Sequence, residues 1–218
     1  MPNQHRVELQ MPLRPEYLPL ATGCVEQTVQ AYGMGRGEAM HLALAVEEVY
    51  SFLANRTTPG QRLRLSCRFA GYYAEVVCRF QRGALPVEAF NITATVSSDD
   101  EKSLDEMGLL LAARTVDQLR ISAEDSEMGV HFIKQKVYPS VKEVLPDFAA
   151  TGPFRLAEPE VEQLKQFAVR VCSRYGAKTP PPFQYPGKLV DMVRFGEYGA
   201  ALLVDGKGNV GAGMLWHS

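Results

Sequence analysis

Two adjacent carboxylates in a helical segment are the residues of this sequence best suited to chemistry. Glu47 and Glu48 lie within His41–Phe52, which reads HLALAVEEVYSF. A carboxylate held on a helix can accept a proton from an attacking hydroxyl group, which is general-base catalysis. In a helix, Glu48 shares its face with Phe52 and Asn55, one and two turns further on. Taken alone, a pair of glutamates in a helix is typical of a solvated surface.

Two glycine-containing segments supply the second set of candidates. Gln81-Arg82-Gly83 follows an alternating segment, and Gly108-Leu109 lies in the segment LDEMGLLLAARTVDQL. Glycine lets a ligand or another segment approach the backbone closely. By itself, Gln81-Arg82-Gly83 is equally typical of an ordinary turn that ends a strand. The motifs alone therefore do not identify a site, and the elements that position them must be considered.

Hydrophobic periodicity predicts those elements. Helices are expected at 15–32, 37–55 and 104–117, and strands at 6–12, 63–67, 74–80, 118–124 and 128–137. The second helix carries an apolar stripe made of Leu42, Val46, Val49 and Leu53. The order βααββ, a long connection and then αββ predicts an α/β (α+β) two-layer sandwich with an antiparallel sheet.

In this order, the segments resemble the N-box helix and the glycine boxes of the Bergerat-fold ATPases, which are also called histidine-kinase-like ATPases. Among these, the anti-sigma-factor serine kinases are the most similar, and the resemblance covers about residues 5–137. It implies that Glu48 is the catalytic base that orients the attacking nucleophile. It also implies that Gly83, Gly108 and Leu109 belong to the nucleotide pocket, with backbone N–H groups at a helix start holding phosphate.

The departures from the family pattern fall on the residues that carry its chemistry. Phe52 stands where the family has an asparagine that reaches Mg²⁺, and Asn55 lies almost one turn further on. Gln81 stands where the family has an aspartate that accepts a hydrogen bond from adenine. Glu106 replaces the first glycine of the second glycine box, and the later threonine is missing. The resemblance therefore implies weak binding of ATP, with little contribution from Mg²⁺, and no protein-built metal site.

Three functions stay open at this point. The first is a regulatory protein with a degenerate ATP-binding domain that acts mainly by binding a protein, which the resemblance implies to be a sigma factor or its antagonist. The second is an active ATP-dependent serine/threonine protein kinase. The third is a small-molecule sensor that reuses the pocket, with Phe52 stacking on the ligand.

Composition excludes several other classes. The 218 residues are 46% hydrophobic and 22% charged, as in a soluble globular protein, and the formal net charge of -2 offers no basic field for nucleic acid or membrane. No secretory signal or membrane span is expected, which predicts a cytoplasmic protein. The four cysteines show no metal-ligand spacing and are expected to be free thiols.

A second, smaller unit is expected after the first domain. We predict a histidine-kinase-like domain at 1–138, a proline-containing linker at 139–157 and a small α+β unit at 158–218. The unit at 158–218 holds predicted helices at 159–175 and 188–194 and a hairpin of strands 200–204 and 210–216. It resembles the start of a GCN5-related acetyltransferase without the glycine-rich turn that holds acetyl-CoA. Its apolar hairpin should be covered on both faces or paired at an edge, which predicts a homodimer.

Overall fold

The computed structural model describes residues 6–56, 60–82, 101–124, 126–141 and 149–217, with the backbone alone for 101–106. These residues form two compact units, one extending to Lys136 and one starting at Val137. No helix in the described part of the chain is both long enough and apolar enough to cross a membrane.

The first unit is a five-stranded antiparallel sheet with three helices. Its elements are β1 (Arg6–Pro12), α1 (Leu18–Ala31), α2 (Arg36–Arg56), β2 (Arg62–Phe69), β3 (Tyr73–Gln81), α3 (Glu101–Thr115), β4 (Gln118–Glu124) and β5 (Glu127–Gln135). The strand order is β1-β2-β3-β5-β4. The predicted two-layer α+β sandwich is therefore confirmed. Helix α3 begins at Glu101, three residues before the predicted start at 104.

Burial follows the periodicity of each element. The predicted stripe of α2 (Leu42, Val46, Val49 and Leu53) is fully buried, and it packs on the alternate residues of β3 that face the helices. Each side chain of this size contributes roughly 1.5–3 kcal/mol when it leaves water. The stripe therefore fixes which face of α2 lies on the sheet, and with it the direction of Glu48.

A buried tyrosine also positions α2. The hydroxyl group of Tyr50 lies 3.0 Å from the carbonyl oxygen of Pro12 and 2.9 Å from that of Arg14. The backbone N–H of Arg14 donates to the same hydroxyl oxygen. These contacts join the middle of α2 to the end of β1 and satisfy a phenol that is fully buried.

The second unit has a three-stranded antiparallel sheet and two helices. It contains β6 (Arg155–Ala157), α4 (Val161–Tyr175), α5 (Pro186–Arg194), β7 (Tyr198–Val204) and β8 (Val210–His217), in the strand order β6-β7-β8. Helix α4 begins with a capping box between Glu160 and Gln163. The helices cover one face of the sheet, where Phe167, Leu189 and Leu202 form part of a small core.

The segment 139–157, which was expected to be a linker, contributes structure to this second unit. Strand β6 lies inside it and pairs with β7, and the Thr151 N–H donates to the Asp205 carboxylate at 3.2 Å. A strand of three residues is too short for its periodicity to be recognised in the sequence, whereas prolines are conspicuous. The hairpin β7–β8 is also covered on one face only, since Met214 is 61% exposed and Trp216 is 43% exposed.

Candidate functional site

The structure brings two of the predicted site residues, Glu48 and Gly108, into contact. Helices α2 and α3 lie side by side on the sheet, and a Cβ atom added to Gly108 would overlap the Glu48 carboxylate. The absence of a side chain at Gly108 thus allows Glu48 to lie against the backbone of α3. Glu48 is half-buried at this contact.

The environment of Glu48 favours its protonated form. Burial raises the pKa of the Glu48 carboxyl group above its usual range, and the negative charge of Glu47 raises it further. A carboxylate with a raised pKa accepts a proton more readily, which is the property a general base needs. His41 lies two turns earlier on the same helix, and its Nδ1 atom is buried without a hydrogen-bond partner among the described residues.

Gly108 and Leu109 occupy a different position from the one that the resemblance implies. Because α3 begins at Glu101, Gly108 lies inside the helix rather than at its N-terminus. Backbone N–H groups inside a helix are bonded to the carbonyl group four residues earlier, so the N–H of Gly108 is not free to hold phosphate. The Leu109 side chain is fully buried in the core. In this structure, both residues serve the packing of α3 on α2 and the sheet.

Phe52 and Asn55 lie in different environments, because Phe52 is buried and Asn55 is exposed. The Phe52 ring is 3% exposed, and the Arg56 guanidinium group lies 4.2 Å from its centroid, a cation–π distance. The ring would therefore have to leave the core to stack on a ligand. Asn55 is exposed near the end of α2. No group of three or more residues with metal-binding side chains occurs in the described parts of the chain.

Gln81 lies on the face of the sheet opposite to the helices. Phe80, which is 1% exposed, faces the helices, and side chains alternate along a strand, so Gln81 points the other way. Its amide oxygen accepts a hydrogen bond from Gln61 at 3.1 Å, and it lines a small cavity of about 210 Å³ beside Arg64 and Arg79. The structure therefore does not bring Gln81 to Glu48. Gly83 and most of the long connection expected at 81–103, namely residues 83–100, lie outside the described residues.

A polar network that the sequence analysis missed lies on this outer face. The Glu75 carboxylate receives the Arg68 guanidinium group at 2.7 Å and the Nδ1 atom of His131 at 3.0 Å. The Ser122 hydroxyl group lies 2.9 Å from Nε2 of His131. Burial alone would raise the pKa of Glu75, but the hydrogen bond with His131 and the charge of Arg68 outweigh it and lower the pKa.

The serine–histidine–carboxylate order of this network is the one that activates a nucleophile. Ser122 and His131 line neither of the two cavities described for this protein. Ser122, His131 and Glu75 come from three different strands, and only the strand register brings them together. Alternation in the sequence reveals which residues point outwards, but not which of them become neighbours.

The first unit is thus a two-layer α+β sandwich in which the half-buried carboxylate of Glu48 lies against Gly108 of a neighbouring helix. No protein-family model and no curated protein matches the sequence. Among solved structures, the chain is similar to the RsbU and RsbW domains of a Mycobacterium tuberculosis protein, with 9% identity and a TM-score of 0.42. The match covers 62% of this chain and 33% of that one, so this chain spans about a third of its length.

Proposed function

We propose that this protein is a cytoplasmic regulatory protein with a degenerate ATP-binding domain that acts mainly by binding another protein. The partner class that the resemblance implies is a sigma factor or its antagonist. The free state of all four cysteine thiols is compatible with a reducing compartment.

The burial of Phe52 is the observation that carries this proposal. Mg²⁺ takes oxygen ligands, and it neutralises the charge of a triphosphate during phosphoryl transfer. A phenylalanine that is 3% exposed beneath Arg56 offers no oxygen at the position where the related ATPases have their asparagine. A domain that keeps the scaffold and lacks this ligand is suited to binding a partner rather than to efficient phosphoryl transfer.

Calorimetric titration with ATP, with and without Mg²⁺, tests this function. We expect weak binding that Mg²⁺ does not strengthen. Glu48→Gln should tighten ATP binding several-fold, because it removes a carboxylate that repels the triphosphate. The matched control is Gln81→Asp, which changes a side chain on the opposite face of the sheet and should leave ATP binding unchanged. Sub-micromolar binding that depends on Mg²⁺ would contradict the proposal.

An active serine/threonine kinase is the second candidate, and the raised pKa of Glu48 is the observation that favours it. Radiolabelled ATP distinguishes the two functions when the whole protein is incubated with a sigma factor and its antagonist. Transfer of the γ-phosphate that disappears in Glu48→Gln would establish the kinase. Partner binding without transfer would support the regulatory function. A small molecule that stays bound to the protein in native mass spectrometry would instead favour the sensor. Residues other than the buried Phe52 would then contact that molecule.

We also propose that the second unit forms a homodimer through the outer face of its sheet, defined by Leu156, Leu203, Met214 and Trp216. These residues share the face that α4 and α5 leave uncovered, and each is at least 40% exposed. An apolar patch of this kind marks an interaction surface. Light scattering should show a dimer that Met214→Glu converts to a monomer. Leu20→Glu, at a 50% exposed leucine of the first unit, is the matched control and should leave the dimer intact.

A further inference from the structure

A groove of about 980 Å³ runs along the second unit between α4 and β8. Its apolar part comes from Phe167, Val171, Phe183 and Leu215. The strand side contributes Gly211 and Gly213, over which the rings of Phe154 and Phe167 lie. The groove therefore has an apolar floor beside β8.

The charges along the groove have one sign. Arg170 and Arg174, one turn apart on α4, both line it, and none of its lining residues is an aspartate or glutamate. The Arg170 guanidinium group donates to the carbonyl oxygen of Val210, which holds it against the strand. Arg174 is exposed at the last turn of the helix. A groove with two guanidinium groups and no lining carboxylate favours a negatively charged occupant.

The strand beside the groove has an open edge. In the order β6-β7-β8, the described residues pair β8 with β7 on one side and provide no strand on the other. An open edge presents a row of backbone N–H and C=O groups that a further strand can pair with. The side chains of Met214 and Trp216 on the other face of β8 are apolar and exposed, so a strand added here would meet apolar neighbours on that face.

We propose that this groove binds an extended acidic peptide that pairs with the free edge of β8. The peptide extends the three-stranded sheet by one strand, which is recognition by strand addition. Its acidic side chains point into the groove towards Arg170 and Arg174, and its alternate apolar side chains lie beside Met214. This site belongs to the second unit alone and is independent of nucleotide binding by the first.

Fluorescence anisotropy with the whole protein tests the inference. The probe is a fluorescein-labelled peptide of alternating valine and glutamate with eight residues, the length of β8. We expect it to bind, and we expect the version with lysine in place of glutamate not to bind. Arg174→Glu should weaken binding by at least about tenfold, because repulsion replaces a charge-assisted contact. The matched control is Arg194→Glu, at an exposed arginine of α5 outside the groove, which should leave binding unchanged.

A second probe separates strand pairing from simple charge attraction. N-methylation of alternate residues of the same peptide removes backbone N–H donors and keeps every charge, so it should abolish binding. Three results would overturn the inference: equal binding of the lysine peptide, equal binding of the N-methylated peptide, or an equal loss in Arg194→Glu. Failure to bind the valine–glutamate peptide because a second copy of the chain occupies the β8 edge would also overturn it.

Discussion

The two units cover their sheets in different ways. In the first unit, three helices cover one face, and the other face carries charged and polar side chains such as the Arg68–Glu75–His131 network. In the second unit, two helices cover one face, and the other exposes Leu156, Met214 and Trp216. The first unit therefore presents a polar outer face, whereas the described residues of the second unit leave an apolar outer face exposed.

The composition of the strands accounts for this difference. Strand β2 alternates arginine with leucine or cysteine over much of its length, so burying one face leaves a polar one. Strands β7 and β8 carry small or apolar residues on both faces, including three glycines (Gly199, Gly211 and Gly213). Trp216 packs closely over Gly199 on the uncovered face, where an added Cβ would overlap the indole ring. A sheet with apolar residues on both faces is stable in water only when both are covered.

The largest difference in stability is expected between a substitution in the buried core of the first unit and one at an exposed position of the second. Phe52→Ala should lower the free energy of unfolding of the first unit by about 3–5 kcal/mol, because it leaves a cavity in a packed core. Val161→Ala, at a 40% exposed side chain of α4 outside the proposed dimer face, should change the stability of the second unit by about 0.5 kcal/mol or less. Urea denaturation followed by circular dichroism and by the fluorescence of the single tryptophan, Trp216, distinguishes the units. Similar effects from both substitutions would refute the comparison.

A buried carboxylate in the β7–β8 turn should dominate the pH dependence of the second unit. Asp205 is 1% exposed and accepts backbone N–H groups from Lys207 at 2.8 Å, Asn209 at 2.9 Å and Thr151 at 3.2 Å. Burial acts to raise its pKa, but the bonds from Asn209, Thr151 and Lys207 outweigh it and lower the pKa to about 2.

The folded pKa of Asp205 lies below the unfolded value of 3.8. The stabilising effect of its charge is therefore present above pH 3.8 and is lost as the pH falls towards 2. Asp205→Asn should lower the melting temperature reported by Trp216 at neutral pH. The difference from the parent should shrink over that acidic range. A difference that stays constant with pH would show that the charge of Asp205 is not the cause.

A smaller effect is expected from the carboxylate on the outer face of the first unit. Glu75→Gln should destabilise that unit by about 1–2 kcal/mol, because Arg68 and His131 lose a charged acceptor. Because the folded pKa of Glu75 is lowered, this stabilisation is fully present at pH values above the unfolded pKa of 4.5. It is lost as the pH falls through the folded pKa. Glu127→Gln is the matched control, because its exposed pair with Arg64 at 3.6 Å should contribute about 0.5 kcal/mol or less. Equal losses in both variants, measured by urea denaturation, would argue against the network.

The smallest effect on stability is expected from a substitution at Gly108. The pKa of Glu48 should respond to this substitution more clearly than stability does. Alanine is favoured over glycine inside a helix by about 1 kcal/mol, but at Gly108 it must displace the Glu48 carboxylate. Gly108→Ala should therefore change stability by about 1 kcal/mol or less and lower the Glu48 pKa towards its usual value, as measured by carboxyl NMR titration. Gly23→Ala, in a helix position with open space, should stabilise without changing that pKa. An unchanged Glu48 pKa in Gly108→Ala would show that the two residues are not in contact.

The sequence by itself determined the kinds of elements in the first unit, their order and the core stripe of α2. These features depend on local periodicity, because residues a turn apart in a helix, or two apart in a strand, face the same side wherever the element lies. The stripe of Leu42, Val46, Val49 and Leu53 was therefore predictable, as was the antiparallel arrangement of the hairpin β2–β3. The two-layer sandwich follows from burying these faces together.

Only the tertiary structure decided which candidates meet. The contact of Glu48 with Gly108 depends on how α2 and α3 pack, and the network of Glu75, His131 and Ser122 depends on the register of three strands. Gln81 was assigned to the pocket from its place at the end of a strand, but one residue along a strand reverses the face, and it lies opposite Glu48. Such relations join residues far apart in the chain. They are set by the packing of complete elements against one another, which local periodicity does not encode.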